Sequence, residues 1–195
     1  DSITIAAVGD LMIGSTSIND TFLPPNDGAD MLREFAPILS SADIAFGNLE
    51  GPLLDGGTTS KCPPTSRRCF AFRMPTRYAK HFKDAGFDVL SMANNHAGDF
   101  GDFGRISTRQ TLDAAGIKHA GSEKGAFATT IVESKGRRVA FVAFAHNKIV
   151  PNLNDLAEAR QLVEAASRNA DIVVVSFHGG AEGPTAQRVP KRTEV

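Results

Sequence analysis

Short apolar runs alternate along this chain with stretches of helical spacing, and the runs end repeatedly on glycine or on polar clusters. Ser2 to Val8 is apolar and β-branched and stops at Gly9-Asp10, so it reads as a buried strand entering a loop. Met31, Leu32, Phe35, Ile38 and Leu39 fall at helical spacing before Ser40-Ser41, which predicts a helix over 31–39 with Pro37 as its weak point. Ile44 to Phe46 predicts a second strand, ending at Gly47-Asn48-Leu49-Glu50. Residues 51–75 are rich in Gly, Pro, Ser and Thr and almost aperiodic, which predicts a long functional or partly mobile loop. After Pro75 a helix is expected with Tyr78, Phe82 and Ala85 inward, closing at Gly86.

Phe87 to Ala93 predicts a third strand, which ends at Asn94-Asn95-His96, and Ile106 to Ala115 a helix capped by Gly116. Ala128 to Phe144 reads as a hairpin about Ser134-Lys135-Gly136. Leu156 to Ser167 is helical, with Leu156, Ala159, Leu162, Val163 and Ala166 on one face. Asp171 to Phe177 is the most hydrophobic strand and ends at His178-Gly179-Gly180. Strands and helices alternate, and the strands are nearly continuous in apolar residues. That pattern predicts an α/β fold with a largely parallel sheet covered on both faces.

Four strands therefore end in polar clusters: Asp10, then Asn48 and Glu50, then Asn94-Asn95-His96, then His178. In an open parallel sheet ligands bind at the carboxyl ends of the strands, and right-handed crossovers bring successive ends to one edge. The four clusters are expected to converge. Each has a plainer explanation as well: a turn at Gly9-Asp10, a turn cap at Asn48 and Glu50, a helix N-cap at Asn94, a structural histidine at 178. Together they supply two carboxylates, three amides and two imidazoles, a donor set suited to Mn²⁺, Fe²⁺ or Zn²⁺. Two such cations clamp a phosphoryl group in known two-metal sites. Gly179 and Gly180 permit close approach of a ligand beside His178. Of the other histidines, His81 is expected to face solvent, His119 lies in a short strand, and His146 ends the hairpin and can reach the same edge. No Gly-x-Ser-x-Gly elbow and no Gly-x-x-x-x-Gly-Lys phosphate loop occurs.

At 195 residues with 42% hydrophobic content, one domain over 1–195 is the expectation. A formal charge of -1 gives no overall field for nucleic acid, and Lys191-Arg192 is too short a basic tail to change that. No run of about 18 apolar residues is present to span a membrane. Cys62 and Cys69 sit seven apart in a polar loop, with neither the spacing nor the company of a zinc site. They read either as a disulfide, and hence an oxidising compartment, or as two thiols in a cytosolic protein. Asp1 leads straight into a strand, so the chain is either cytoplasmic or has lost a leader. The disulfide reading favours the second, an extracytoplasmic protein with its leader removed.

Gly9-Asp10-Leu11-Met12, Gly47-Asn48-Leu49-Glu50-Gly51-Pro52-Leu53, Phe87-Asp88-Val89, Ala93-Asn94-Asn95-His96 and His178-Gly179-Gly180 occur in this order. In this the chain resembles the CapA family of capsule-synthesis proteins, associated with poly-γ-glutamate capsule polymer and similar to calcineurin-like metallophosphatases. The resemblance implies a layered metallophosphatase-like sandwich with a site for two divalent metal ions. Residue by residue it implies Asp10, Glu50, Asn95 and His178 as metal ligands, with Glu50 bridging and Asn95 on the second metal. It also implies His96 as general acid, and Asp99 is placed to orient it. Imidazoles titrate near neutrality, which suits that role. Asn48, Asn94 and Gly179 are expected to contact substrate.

Met12 stands where the superfamily has a histidine. No His-x-His occurs in the sequence, although the family pattern continues to a Gly-His-x-His-like motif, so the C-terminal part of the fold is expected to be missing. The implied activity is a metal-dependent phosphoesterase-like hydrolase acting on an anionic polymer or a phosphorylated small substrate. A γ-glutamyl amide hydrolase is a variant on the same site, and a metal-free small-molecule binding domain is a weaker reading. The alternative class is a non-catalytic polymer-binding or assembly component working with capsule synthase membrane proteins.

Overall fold

The computed structural model describes residues 2–17, 22–63, 65–66, 69–181 and 188, so the Lys191-Arg192 tail lies outside the described residues. Four parallel strands form the first sheet in the order β1 (Ile5–Leu11), β2 (Ile44–Leu49), β3 (Val89–Ser91) and β4 (Lys118–Ala120). A second sheet holds β5 (Thr129–Ser134), β6 (Arg137–Ala145) and β7 (Ile172–His178). There the hairpin pair β5–β6 is antiparallel and β6–β7 is parallel. The helices are α1 (Ala36–Ser41), α2 (Ala79–Asp84), α3 (Gly101–Ala114) and α4 (Leu156–Asn169).

The expected parallel arrangement is divided between two sheets, and they pack face to face. Ile44 and Phe46 of β2 and Val89 of β3 form one apolar cluster with Val139 and Phe141 of β6. Phe46 and Phe141 stack with centroids 5.2 Å apart. The period of two decides who covers what. Along β6, Val139, Phe141, Ala143 and Ala145 turn to the first sheet, while Ala140, Val142 and Phe144 pack on α4 through Ala166, Leu162 and Val163. On the outer face of the first sheet, Ala45, Leu49, Leu90 and Met92 meet Leu39, Tyr78, Phe82 and Leu112 from the helical side. The layers run helix, sheet, sheet, helix.

Helix α3 starts at Gly101, five residues before the expected Ile106, and helices α1 and α4 differ from expectation for local reasons. Turns occupy most of 29–35, and α1 begins at Ala36 with Pro37 in its first turn, where a missing N–H costs nothing. Pro37 starts the helix instead of weakening it. Leu156 opens α4 and is 77% exposed, while Asp155 caps the helix by accepting from the Glu158 N–H at 3.0 Å. The inward face starts one turn later, at Ala159.

Tyr78 is fully buried and donates to Asp27 Oδ1 at 3.2 Å, and Asp27 is held in turn by Arg77. Burial, then the Asp27 charge, pushes the phenol up to about 12. The chain has one tyrosine and no tryptophan, so absorbance titration reads this group alone. The expected midpoint is near 12. The stability tied to the neutral phenol is intact below its ordinary value of 10 and is lost as pH rises through about 12. A midpoint at the ordinary value would contradict this burial.

Candidate metal centre

The site lies where β1, β2, β3 and β7 end. Asp10 reaches it through a break in the strand. Ala7 pairs with Phe46 and Asp10 with Asn48, so Val8 and Gly9 stand opposite the single residue Gly47. This is a β-bulge. Before it, Ile5 packs toward the second sheet and Ala6 toward the helices. Strict alternation would send Asp10 to the helical face. The extra residue reverses the order, so Leu11 enters the helical core and Asp10 turns to the inner side beside Asn48. Gly47 has no room for a side chain opposite the bulge, since a Cβ there would lie 2.7 Å from Leu11 Cδ1 and 3.1 Å from Val8 Cγ2.

Asp10, Glu50 and His178 each present one ligand atom, and all three atoms lie within 4.8 Å of one another. His178 Nδ1 is 3.4 Å from Asp10 Oδ1, and its Nε2 is 3.9 Å from Glu50 Oε1. Atoms sharing one cation at about 2.0–2.2 Å stand roughly 3–3.5 Å apart, and the two approaches use different His178 nitrogens, so these side chains must draw together for one nitrogen to share an ion with both carboxylates. Two carboxylates and an imidazole suit the borderline cations expected from the sequence.

A row of amides ties these groups together. Asn48 Nδ2 donates to Asp10 Oδ1 at 2.6 Å and lies 3.2 Å from His178 Nδ1. Asn94 Nδ2 donates to Asn48 Oδ1 and to the Leu49 carbonyl, and Asn94 Oδ1 accepts from the His96 N–H. Asn94 is fully buried, so its amide is used inside the framework, and Asn48 is 8% exposed. Asn147 donates to the Asn94 carbonyl, bracing the loop from the β6 side. Asn147 carried no signal in the sequence, because it follows a strand within an ordinary polar turn.

His96 is nearly buried and stacks on Phe72 with centroids 4.0 Å apart. Its Nδ1 lies 2.6 Å from Asp99 Oδ2 and its Nε2 3.8 Å from Glu50 Oε1. The imidazole is thus anchored on one nitrogen and presents the other to the Asp10–Glu50–His178 group. Asn95 is half-buried on the same turn. Gly179 and His146 are exposed beside the site, with His146 Nδ1 4.0 Å from where a Cβ on Gly179 would lie. His81 lies elsewhere, on α2, with Nε2 2.9 Å from the Asp27 carbonyl. His119 pairs with Asp113 at 3.3 Å, and burial pushes its imidazole below the ordinary value.

The 51–75 loop folds over this site. Leu53 and Met74 form a bridge and are fully buried, and Arg73 ties Thr16 to the Gly56 and Gly57 carbonyls. Cys62 and Cys69 are joined as a disulfide. Lys61 forms an ion pair with Asp99. Neither Lys61 nor Phe72 stood out in the sequence, since both lie in aperiodic chain.

Comparison with known proteins bears on the family and the fold. The PGA biosynthesis protein CapA of Bacillus subtilis is 29% identical over 197 residues, covering 93% of this chain and 50% of that protein. The chain spans about half the length, or less, of the curated relatives it matches. A solved structure described as a novel phosphatase from Mycoplasma pneumoniae superposes with a TM-score of 0.52 at 14% identity, over 91% of this chain and 56% of that one. A putative 5'-nucleotidase from Staphylococcus aureus gives 0.53 at 15% identity, over 96% of this chain and 39% of that one. These structures share this layered α/β fold. No helix among the described residues is long and apolar enough to cross a membrane. The family profile described as "Bacterial capsule synthesis protein PGA_cap" matches residues 4–193, and the chain belongs to that family.

Proposed function

We propose that this chain carries the metal site of a phosphoesterase-like hydrolase that acts outside the cytoplasm in cell-surface polymer metabolism. One observation carries the reading: Asp10, Glu50 and His178 converge on one point, with the His96–Asp99 pair alongside. Asp10, Glu50 and His178 would hold a first divalent cation, and Glu50 with Asn95 would serve a second. Divalent cations bound there supply Lewis acidity toward a phosphoryl oxygen and a more acidic water near neutral pH.

The chain's own residues do the rest. Asp99 keeps the proton on His96 Nδ1, so His96 Nε2 is the atom from which a proton passes to the leaving oxygen. Asn48 holds Asp10 and His178 at fixed separation, and Asn94 fixes the backbone of His96. Exposed Gly179 leaves the approach beside His178 open to an anionic polymer or a phosphorylated small molecule. The Cys62–Cys69 disulfide supports an oxidising, extracytoplasmic location.

A second reading has a specific observation behind it. Met12 is 38% exposed at the position where the superfamily carries a histidine. On that reading the chain binds polymer without turnover, as an assembly component beside capsule synthase membrane proteins. Metal analysis of the full-length protein and a panel of phosphomonoesters and phosphodiesters separate the two. Turnover that depends on added Mn²⁺, Fe²⁺ or Zn²⁺ is expected, with Asp10→Asn lowering both metal content and rate. Full metal retention and unchanged turnover in Asp10→Asn would remove the hydrolase reading.

A further inference from the structure

We infer that Lys61 is a positioning residue for His96, held in place by the Cys62–Cys69 bridge. The inference rests on the reading of His96 as proton donor. The Asp99 side chain is completely buried, and its two oxygens have distinct partners. Oδ2 accepts from His96 Nδ1 at 2.6 Å and from the Phe72 N–H at 2.7 Å, while Oδ1 takes the Lys61 ammonium. The Asp99 carbonyl also accepts from the Thr59 hydroxyl. Three of these four partners, Thr59, Lys61 and Phe72, come from the loop that crosses the site.

A buried carboxylate needs a compensating charge. Among the described residues, Lys61 is the permanent cation within ion-pair distance of Asp99. Lys61 Nζ also comes 3.1 Å from His96 Nδ1. An ammonium has only donors, and a nitrogen that gives its proton to Asp99 cannot accept another. Lys61 therefore cannot substitute for Asp99 as the partner of His96. Its hold acts through the carboxylate, which it fixes in one orientation, and the carboxylate fixes the ring.

The disulfide explains how a loop delivers this. Cys62 adjoins Lys61, and Cys69 leads through Phe70 and Ala71 to Phe72, so the bridge joins the arm that carries the ammonium to the arm that stacks on His96. Cys69 Sγ lies 3.8 Å from the Lys61 carbonyl oxygen. Closing the loop there limits how far Lys61 and Phe72 can separate.

The test uses the full-length protein, a phosphodiester assay with added metal, and NMR of ¹⁵N-labelled histidine. Lys61→Met is expected to lower kcat roughly 10–100-fold with KM unchanged, and Lys61→Arg to recover most of the loss. The double variant Cys62→Ser/Cys69→Ser falls in the same direction, and adding Lys61→Met to it costs little more, because both changes release one contact. The His96 Nδ1–H resonance is expected in the wild type and in Lys61→Arg and lost to exchange in Lys61→Met. Lys61→Gln, which can still donate but carries no charge, replaces Lys61→Met if that variant does not fold. A resonance that depends on Lys61 in a protein without turnover supports the positioning role and removes only the hydrolase reading. Lys61→Met with unchanged kcat and an unchanged resonance overturns the inference, as does a wild type with no such resonance.

Discussion

On the proposed hydrolase reading, replacing His96 with alanine is expected to lower kcat by roughly two to four orders of magnitude on a phosphoester whose leaving oxygen must be protonated. The reason is directional. Asp99 occupies Nδ1, which leaves Nε2 as the one ring nitrogen facing Glu50 and the candidate ligand set. A second substrate with an activated aryl leaving group separates proton donation from damage to the fold. Such a group departs without a proton, so the variant loses far less on it, while a collapsed site loses equally on both. Metal content of His96→Ala is expected to stay near that of the wild type. Equal losses on the two substrates, with metal retained, would deny His96 the acid role.

The largest stability effect is expected at the contact between the two sheets. Phe141 is fully buried and stacks on Phe46 across the interface, with Val89, Val139 and Ile44 around it. Phe141→Ala removes that ring and leaves a cavity between two rigid layers that cannot close over it. The expected cost is about 3–5 kcal/mol, read by urea denaturation. For a chain of this size that lowers Tm by roughly 10 °C. Phe141→Leu retains most of the volume and is expected to lose much less. A loss below 1 kcal/mol for the alanine variant would mean that the sheets do not share this core.

Most elements were legible because their apolar spacing is set by the period of the structure they form. Gly86 and Gly116 closed their helices where expected, with φ of 102° and 70°. The division into two sheets was not legible from strand periodicity. Val139 to Ala145 is buried on both sides, and a strand with both faces covered reads the same whether its cover is helix or sheet. Asp10 was found from its place after a strand, yet the direction it faces depends on a bulge that leaves no mark in the alternation of Ile5, Ala6 and Ala7. Glu50 and His178 needed no such correction, since Glu50 follows a regular strand and His178 is the last residue of one. Lys61 was invisible for a different reason. Its role comes from a buried partner 38 positions away, and nothing in a loop of Gly, Pro, Ser and Thr shows which lysine will find one.

The bulge at Val8-Gly9 also changes which kinds of mutation this site can survive. A substitution at either position leaves the count of residues before Asp10 intact, and with it the side on which the carboxylate emerges. Deleting one of them removes the bulge and restores an unbroken zigzag in which the aspartate pairs with Asn48 and still emerges on the inner side. The strand therefore has one residue to spare before the carboxylate, a tolerance that a scan of point changes would not reveal.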